Sequence, residues 1–370
     1  MASKNNSPIN EELIRKLPKV DLHAHLSGSI SQQKLAEMLK RDCGKTFEML
    51  DCQQSIGTPE EANRRCFDYF DAVAQIVTNL SALRECTRSV LEAFADENCI
   101  YLELRTGPKS FKVGNTPEEY VDVVRECIAE LNTPHHRMHV KLLLSVKRTL
   151  GEASTRELVL AQIDKVIELS RKNDDLVVGV DVCGNPKDET LLCNVLPALM
   201  DRKTFFQDFP LTFHVGEVDN DEECDAVIDH IVPLNIRRLG HVIHLKDHHI
   251  DRLNELSGQG YSVGIEICPT SNQTTTQLSD IRDHHFGRWW RKCRQHLQMS
   301  INTDDCGLFS CSVSGEIMKV IQGFGLSLGD VLTLQKKAIE SSFYPDKEEL
   351  INLVDTFDSN LATIENSSQV

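Results

Sequence analysis

The 370-residue sequence carries thirteen cysteines but no Cys-x-x-Cys pair, which argues against a cysteine-built zinc site; their odd number and irregular spacing do not suit a disulfide framework either. Most are expected to be buried thiols in a reducing compartment. Positive charge is short: 40 Lys and Arg stand against 56 Asp and Glu, for a formal net charge of −16. That balance excludes broad attraction to nucleic acid or to an anionic membrane. No apolar run approaches the length of a bilayer span, and the opening residues Met1-Ala2-Ser3-Lys4-Asn5-Asn6 lack the apolar core of a signal peptide. Low-complexity tracts, internal repeats and interdomain linkers are also missing. These absences predict a soluble, cytosolic protein, and a hydrophobic content of 40% is enough for one large core.

What is present is a rhythm. Strand-like Val20 to His25 is followed by a helix that Ser31 caps, with Leu35, Met38 and Leu39 at helical spacing. An irregular stretch from Cys43 to Gln54 leads into a long helical region from Pro59 to Ala95. Its stripe of Phe67, Phe70, Val73, Ile76 and Leu80 reads as core packing, with a lid over a pocket as the other reading. Further strands are expected at Ile100–Arg105, Val140–Val146, Leu176–Val182, Leu211–Val215, Ile236–His241, Tyr261–Ile267 and Gln298–Thr303. Helices fall between most of them, at about Thr116 onward, Ser154–Lys172, Glu189–Met200 and Glu222–Ile231. Eight strands alternating with helices predict a (β/α)₈ TIM barrel with a helical insertion after strand 1, as one domain over 1–370 and a core of about 17–345. A doubly wound sheet with a second domain is the alternative.

The polar residues of interest cluster at the carboxyl ends of these strands, where barrel enzymes build their sites. In Asp21-Leu22-His23-Ala24-His25 the two histidines are two residues apart on a strand and project to one side. Strand 5 ends in Phe213-His214-Val215-Gly216-Glu217, strand 6 in Leu239-Gly240-His241, and strand 8 runs into Thr303-Asp304-Asp305. Three imidazoles and a carboxylate converging there make a nitrogen-and-oxygen site that suits Zn²⁺ with a position left open. Taken singly, each has a plainer reading: strand histidines, a satisfied core histidine, a turn residue, a helix-capping acidic pair.

His23-Ala24-His25-Leu26-x-Gly28-Ser29, His214-Val215-Gly216-Glu217, Leu239-Gly240-His241 and Ser300-Ile301-Asn302-Thr303-Asp304-Asp305 resemble, in order, the motifs of the adenosine deaminase family. Tyr101-Leu102-Glu103-Leu104-Arg105, Cys268-x-Thr270-Ser271-Asn272 and Asp283-His284-His285-Phe286-Gly287 resemble its N6-methyl-AMP deaminase branch. The resemblance implies one zinc ion per chain, held by His23, His25, His214 and Asp304. It implies that Glu217 donates a proton to purine N1, and that His241 orients the attacking water and helps to deprotonate it. Asp305 would bond N7, and the Gly184 amide would meet N3, with His25 also against the substrate. Cysteine-ligated deaminases fit less well because the chain has neither their cysteine pair nor a basic surface, and lysine-bridged binuclear hydrolases because strand 4 ends in Asp181-Val182-Cys183-Gly184-Asn185 with no lysine.

Substrate choice turns on the residue after His25-Leu26. The family's nucleoside enzymes carry aspartate there and the nucleotide branch asparagine; this chain has Ser27. A neutral hydroxyl removes repulsion of a 5′-phosphate and can donate to it. Thr106, Gly107 and Lys109 after strand 2, and Lys147 after strand 3, are expected to complete that pocket. The family branch usually has arginine at the position of Lys109 and often an acid at that of Lys147. The expectation is therefore a monomeric aminohydrolase of a purine nucleotide, N6-methyl-AMP foremost. Adenosine or deoxyadenosine deamination is the alternative, and a non-catalytic nucleotide- or partner-binding barrel the alternative of another class.

Overall fold

The computed structural model describes residues 9–48, 59–131, 138–148, 155–186 and 191–367. In chain order its elements are α1 Glu11–Lys16, β1 Lys19–His25, α2 Gln32–Met38, α3 Pro59–Ile76, α4 Leu80–Asp96, β2 Cys99–Thr106, α5 Pro117–Leu131, β3 His139–Lys147, α6 Arg156–Lys172 and β4 Val177–Cys183. There follow α7 Leu196–Met200, α8 Lys203–Phe206, β5 Leu211–Val215, α9 Asp221–Asp229, β6 Ile236–His241, α10 Asp247–Gly258, β7 Gly264–Ile267, α11 Pro269–Thr276, α12 Phe286–Cys293 and β8 Gln298–Ile301. Helices α13 Cys306–Phe309, α14 Val313–Phe324, α15 Leu328–Ser341 and α16 Lys347–Ser367 close the chain. The strands pair in parallel in the order β1 to β8. This sequential order is that of a (β/α)₈ barrel and excludes the doubly wound alternative, whose strand order reverses at a switch point.

Caps and periodicity account for most helix bounds. The Ser31 side chain accepts from the Lys34 amide, and Thr116 and Glu119 close a reciprocal capping box on α5. Several expectations shift, and β8 ends at Ile301 rather than Thr303. Strand β7 begins at Gly264 rather than Tyr261, and α9 begins one residue early because Asn220 caps it. Between β4 and β5 the chain makes a π turn at Leu191–Val195 before α7; Glu189 lies outside the described residues, as do Ser154 and the later part of the irregular stretch after Cys43. In α3, Val73 and Ile76 are buried as expected, but Phe70 is exposed and Tyr69 is wholly buried in its place. The Phe67 side chain lies outside the described residues.

The barrel interior is unusually charged. Arg238 pairs with Glu103 and, through Nε at 2.6 Å, with Glu266. Arg105 reaches Asp181 at 2.9 Å and Glu266 at 2.6 Å, and all five side chains are fully buried. Removing one partner from such a column leaves an uncompensated buried charge, which typically costs about 3–5 kcal/mol. The column rises from the base, where Glu103 accepts from the Phe343 amide, toward the carboxyl ends of the strands.

The ring closes between β8 and β1 by an unusual route. Ladders join every consecutive pair from β1 to β8, whereas here a single bridge pairs Ala24 with Asp304. The Asp304 amide donates to His23 O at 2.8 Å, and the His25 amide donates to Asp304 O at 2.9 Å. Side chains complete the closure: Asn302 Oδ1 accepts from the Leu22 amide, and Asp21 Oδ2 from the Thr303 amide. The backbone that shuts the barrel is thus the backbone that carries three candidate ligands.

Candidate active site

His23 and His25 from β1, His214 from β5 and Asp304 after β8 meet on the axis at the carboxyl end. His214 Nε2 lies 3.1 Å from both His23 Nε2 and His25 Nε2, and Asp304 Oδ1 lies 3.3 and 3.4 Å from the same two nitrogens. Ligands bound to one small cation at roughly 2.0–2.2 Å stand about 3–3.5 Å apart, so the spacing fits a zinc-sized ion. Protonation agrees. His23 Nδ1 bonds Glu266 Oε2 at 2.8 Å, which places its hydrogen on Nδ1 and turns its Nε2 lone pair toward His214, while His214 Nδ1 stands 3.1 Å from Asp181 Oδ1. Three imidazole nitrogens and a carboxylate oxygen set this close together could hold a metal ion.

Arg105 ties this outer layer together, since the two acids it bridges are the ones behind His23 and His214. Although burial pushes both carboxyls up, the Arg105 charge, with His214 for Asp181 and His23 for Glu266, holds them below the usual carboxylate range. The charge column therefore ends as a pair of ionised acceptors under the ligands.

Among the described residues, Asp225, His248 and His249 also bring ligand atoms close together. They suit a metal poorly, because His249 Nδ1 accepts the Lys246 amide, leaving Nε2 protonated, and Arg252 already neutralises Asp225 at 2.6 Å.

The remaining groups flank the ligand cluster. His241 and Val242 hold left-handed backbone at φ 66° and 50°, as Asp304 does at 60°. Such strain at a β-branched residue is rare and gathers at functional sites. Asn272 fixes the His241 ring: its Oδ1 accepts the Cys268 amide, which orients its Nδ2 toward His241 Nδ1 at 2.8 Å. Neutral His241 therefore carries its hydrogen on Nε2, and burial keeps the ring well below the ordinary imidazole value. That Nε2 stands 3.9 Å from Glu217 Oε1.

Glu217 Oε2 and Asp305 Oδ1 are both buried without a hydrogen-bond partner. Burial raises the Glu217 carboxyl above its ordinary value, against the pull of His214. Burial, and after it the Asp304 charge, raises Asp305 much further. Burial thus favours the neutral acid at both carboxyls, most strongly at Asp305, beside a carboxylate at Asp304 that is held low, and a neutral acid can donate to a ring nitrogen.

The rim is formed by the loops after β1 to β4. Ser27 is exposed there, its carbonyl held by the Tyr69 hydroxyl at 3.2 Å, with Gly28 O at 3.1 Å and Ile30 O at 2.6 Å sharing the same donor. Leu26 N donates to Arg105 O, which joins this loop to the one bearing Gly107 and Lys109. The Lys147 stem passes Gly107, with Cε 3.9 Å from where a Cβ would stand, and partial burial followed by the Lys147 charge lowers the Lys109 ammonium. The two lysines therefore lie close enough to repel. The Thr106 hydroxyl is engaged by Tyr120 at 2.8 Å. Gly184 is exposed at φ 130° where β4 ends.

Sequence reasoning gave no role to Arg105, Asp181, Glu266, Asn272 or Tyr69. The available signal was a charged residue inside an otherwise apolar strand, as in Gly264-Ile265-Glu266-Ile267, which is affordable only with a buried partner.

The sequence model of the adenosine deaminase family matches residues 18–359. An N6-mAMP deaminase of Arabidopsis thaliana is 31% identical over 360 residues, spanning 91% of this chain and 95% of that protein. The N6-Methyl-AMP deaminase of Mus musculus is 27% identical over 345 residues, spanning 92% and 91%. The crystal structure of Arabidopsis ADAL complexed with IMP superposes with a TM-score of 0.76 at 32% identity, covering 94% of this chain and 98% of that one.

Proposed function

The chain belongs to the adenosine deaminase family, and we propose that it hydrolyses the C6–N bond of an N6-substituted purine nucleotide, N6-methyl-AMP giving IMP and methylamine. The observation that carries this is the pair of buried, unpartnered carboxyl atoms, Glu217 Oε2 and Asp305 Oδ1, beside the converging His23, His25, His214 and Asp304. The relatives named as N6-methyl-AMP deaminases and the IMP complex of the Arabidopsis protein support the nucleotide substrate.

His23, His25, His214 and Asp304 would hold one zinc ion, whose Lewis acidity when bound brings the pKa of a water from about 15.7 to about 7. The chain's own groups handle the protons. Glu217, whose carboxyl burial pushes up, would give a proton to N1, which makes C6 electron-poor and open to attack by the water oxygen. His241, through its Nε2 hydrogen, donates to and orients that oxygen; the geometry supports this orienting role more than proton abstraction. One water proton restores Glu217 and the other leaves on the amine, so the product keeps a proton on N1. Asp305 as a neutral acid donates to N7, and the Gly184 amide to N3.

Ser27, the Thr106–Gly107 backbone, Lys109 and Lys147 would receive the 5′-phosphate, whose charge offsets the repulsion between the lysines. The acidic balance and the buried free thiols at Cys86, Cys99, Cys127, Cys224, Cys268 and Cys293 support a cytosolic setting. Among the described residues no helix is long and apolar enough to cross a membrane.

The test is kcat/KM of the zinc-loaded protein for N6-methyl-AMP, AMP and adenosine. Preference for N6-methyl-AMP is expected. Faster turnover of adenosine would overturn the nucleotide reading, and no turnover of any of them with zinc bound would favour a binding-only barrel.

A further inference from the structure

We propose that His285, Arg288 and Trp289 form a clamp that holds the left-handed turn carrying His241, and so act as positioning residues; the proposal rests on the role given above to His241. These residues stand at i, i+3 and i+4 at the start of α12, and therefore on one face of that helix. All three face the loop after β6. His285 Nε2 donates to His241 O at 2.7 Å, Trp289 Nε1 to Val242 O at 3.4 Å, and Arg288 Nη2 to Leu245 O.

The need for such donors follows from the backbone. Two successive left-handed residues, His241 and Val242, turn their carbonyls away from the directions in which a strand ladder or a helix would pair them. Both residues are buried, so those oxygens require donors from elsewhere in the protein. The amide side of the turn is met from β5 and its loop, with Val242 N on Val215 O at 3.0 Å and His244 N on Gly216 O at 2.9 Å. The carbonyl side is met by α12. The strained conformation is thus held from both flanks, and it sets the direction in which the His241 Cβ leaves the chain.

The clamp has a firm mounting. Phe286 and Trp289 are fully buried, and Gly287 lies so close to Phe324 of α14 that a Cβ would come within 2.6 Å of its ring. His284 Nδ1 accepts the Phe286 amide, which fixes the entry into the helix. Asn272 holds the far side of the same imidazole. His241 is therefore gripped by its carbonyl from α12 and by its ring from α11, and the Asp283-His284-His285-Phe286-Gly287 motif gains a purpose that ligand or substrate contact does not give it.

The test uses zinc-loaded full-length protein. His285→Leu keeps bulk and removes the donor, whereas His285→Gln restores an N–H at the reach of Nε2; Trp289→Phe removes the Val242 bond alone. A misplaced catalytic group of this kind costs up to roughly 10²-fold, so His285→Leu is expected to lower kcat for N6-methyl-AMP by about 10- to 100-fold. KM and zinc content should stay near wild type, His285→Gln should recover most of the loss, and Trp289→Phe should fall between. Wild-type kcat in His285→Leu, or a Gln variant no better than Leu, would overturn the clamp. A crystal structure of His285→Leu decides it independently of substrate: φ at His241 should leave the left-handed region or the imidazole should move away from His214, and an unchanged turn would refute the proposal. Should the wild-type protein turn over none of the nucleotides, the functional reading fails while this structural arm still judges the clamp. If His285→Leu does not fold, the Gln and Phe variants carry the comparison, and unchanged kcat in Trp289→Phe would count against it.

Discussion

A Cβ placed on Gly28 would stand 1.5 Å from Asp305 Oδ1 and 2.2 Å from its Cγ. The carboxyl group occupies the space that any other side chain at position 28 would fill. The Leu308 amide donates to Gly28 O at 3.0 Å, so the same contact joins the loop after β1 to the helix that Asp305 begins. The glycine of the first motif is there for the second aspartate of the last.

Gly28→Ala should accordingly displace Asp305 without touching a metal ligand. Overpacking of this kind costs about 1–3 kcal/mol of stability. We expect a lower Tm, retained zinc, and a fall in kcat/KM of roughly 10-fold or more as the N7 contact moves. Metal analysis beside steady-state kinetics checks the split; loss of zinc in step with activity would mean that the damage reaches the ligands.

Ser27→Asp places a carboxylate where the rim would meet a 5′-phosphate. Like charges about 4 Å apart near a protein surface repel by up to about 4 kcal/mol, so kcat/KM for N6-methyl-AMP should fall at least about 10-fold more than that for adenosine. The difference should shrink in high salt. Equal losses for nucleotide and nucleoside would show that residue 27 does not face the phosphate.

Glu266→Gln weakens the acceptor behind His23 and leaves Arg105 and Arg238 short of charge. Changes to such outer partners typically lower metal affinity about 10- to 100-fold. Competition with a chelator should show this weakening together with a lower Tm, and unaltered zinc affinity would remove Glu266 from the metal's support.

Glu217→Gln removes the transferable proton, and turnover should fall by roughly 10²–10⁴-fold with zinc retained. It also has a pH signature in metal-stripped protein. The folded-state pKa of Glu217 is raised by burial, so the stability tied to its protonated form is complete below the ordinary carboxyl value of 4.5 and is lost as pH rises through the raised value. The Gln variant cannot ionise. Its Tm should exceed that of wild type near pH 7 and converge with it near pH 4, and a constant gap across melts at several pH values would contradict the assigned burial effect.

That His23, His25, His214 and Asp304 come together, with Glu217 and Asp305 beside them, was legible because strand ends concentrate chemistry and the motifs lie in short, local runs. Eight strands were also readable, and the largest trimming, at β7, came where Tyr261-Ser262-Val263 has strand composition but no partner in the ladder. What stayed hidden was pairing across long separations. Arg105 and Glu266 lie 161 residues apart and each looks costly in a strand by itself; only the fold shows that they neutralise one another. Tyr69 was missed for a different reason: helical periodicity favoured Phe70, while the buried face also had to place a hydroxyl on the carbonyls of Ser27, Gly28 and Ile30.

The closure between β8 and β1 bears on when the proposed metal site can form. Leu22 and Asn302, which help to seal that seam, are 280 residues apart, and the fourth ligand, Asp304, sets the backbone positions of His23 and His25. A chain emerging from the ribosome has three of its four ligands once His214 is made, but neither the fourth nor the seam that spaces the first two. On the proposed ligand set, the complete site therefore forms only when the chain is nearly finished, and a chain cut short of Asp304 would lack both the fourth ligand and the seam.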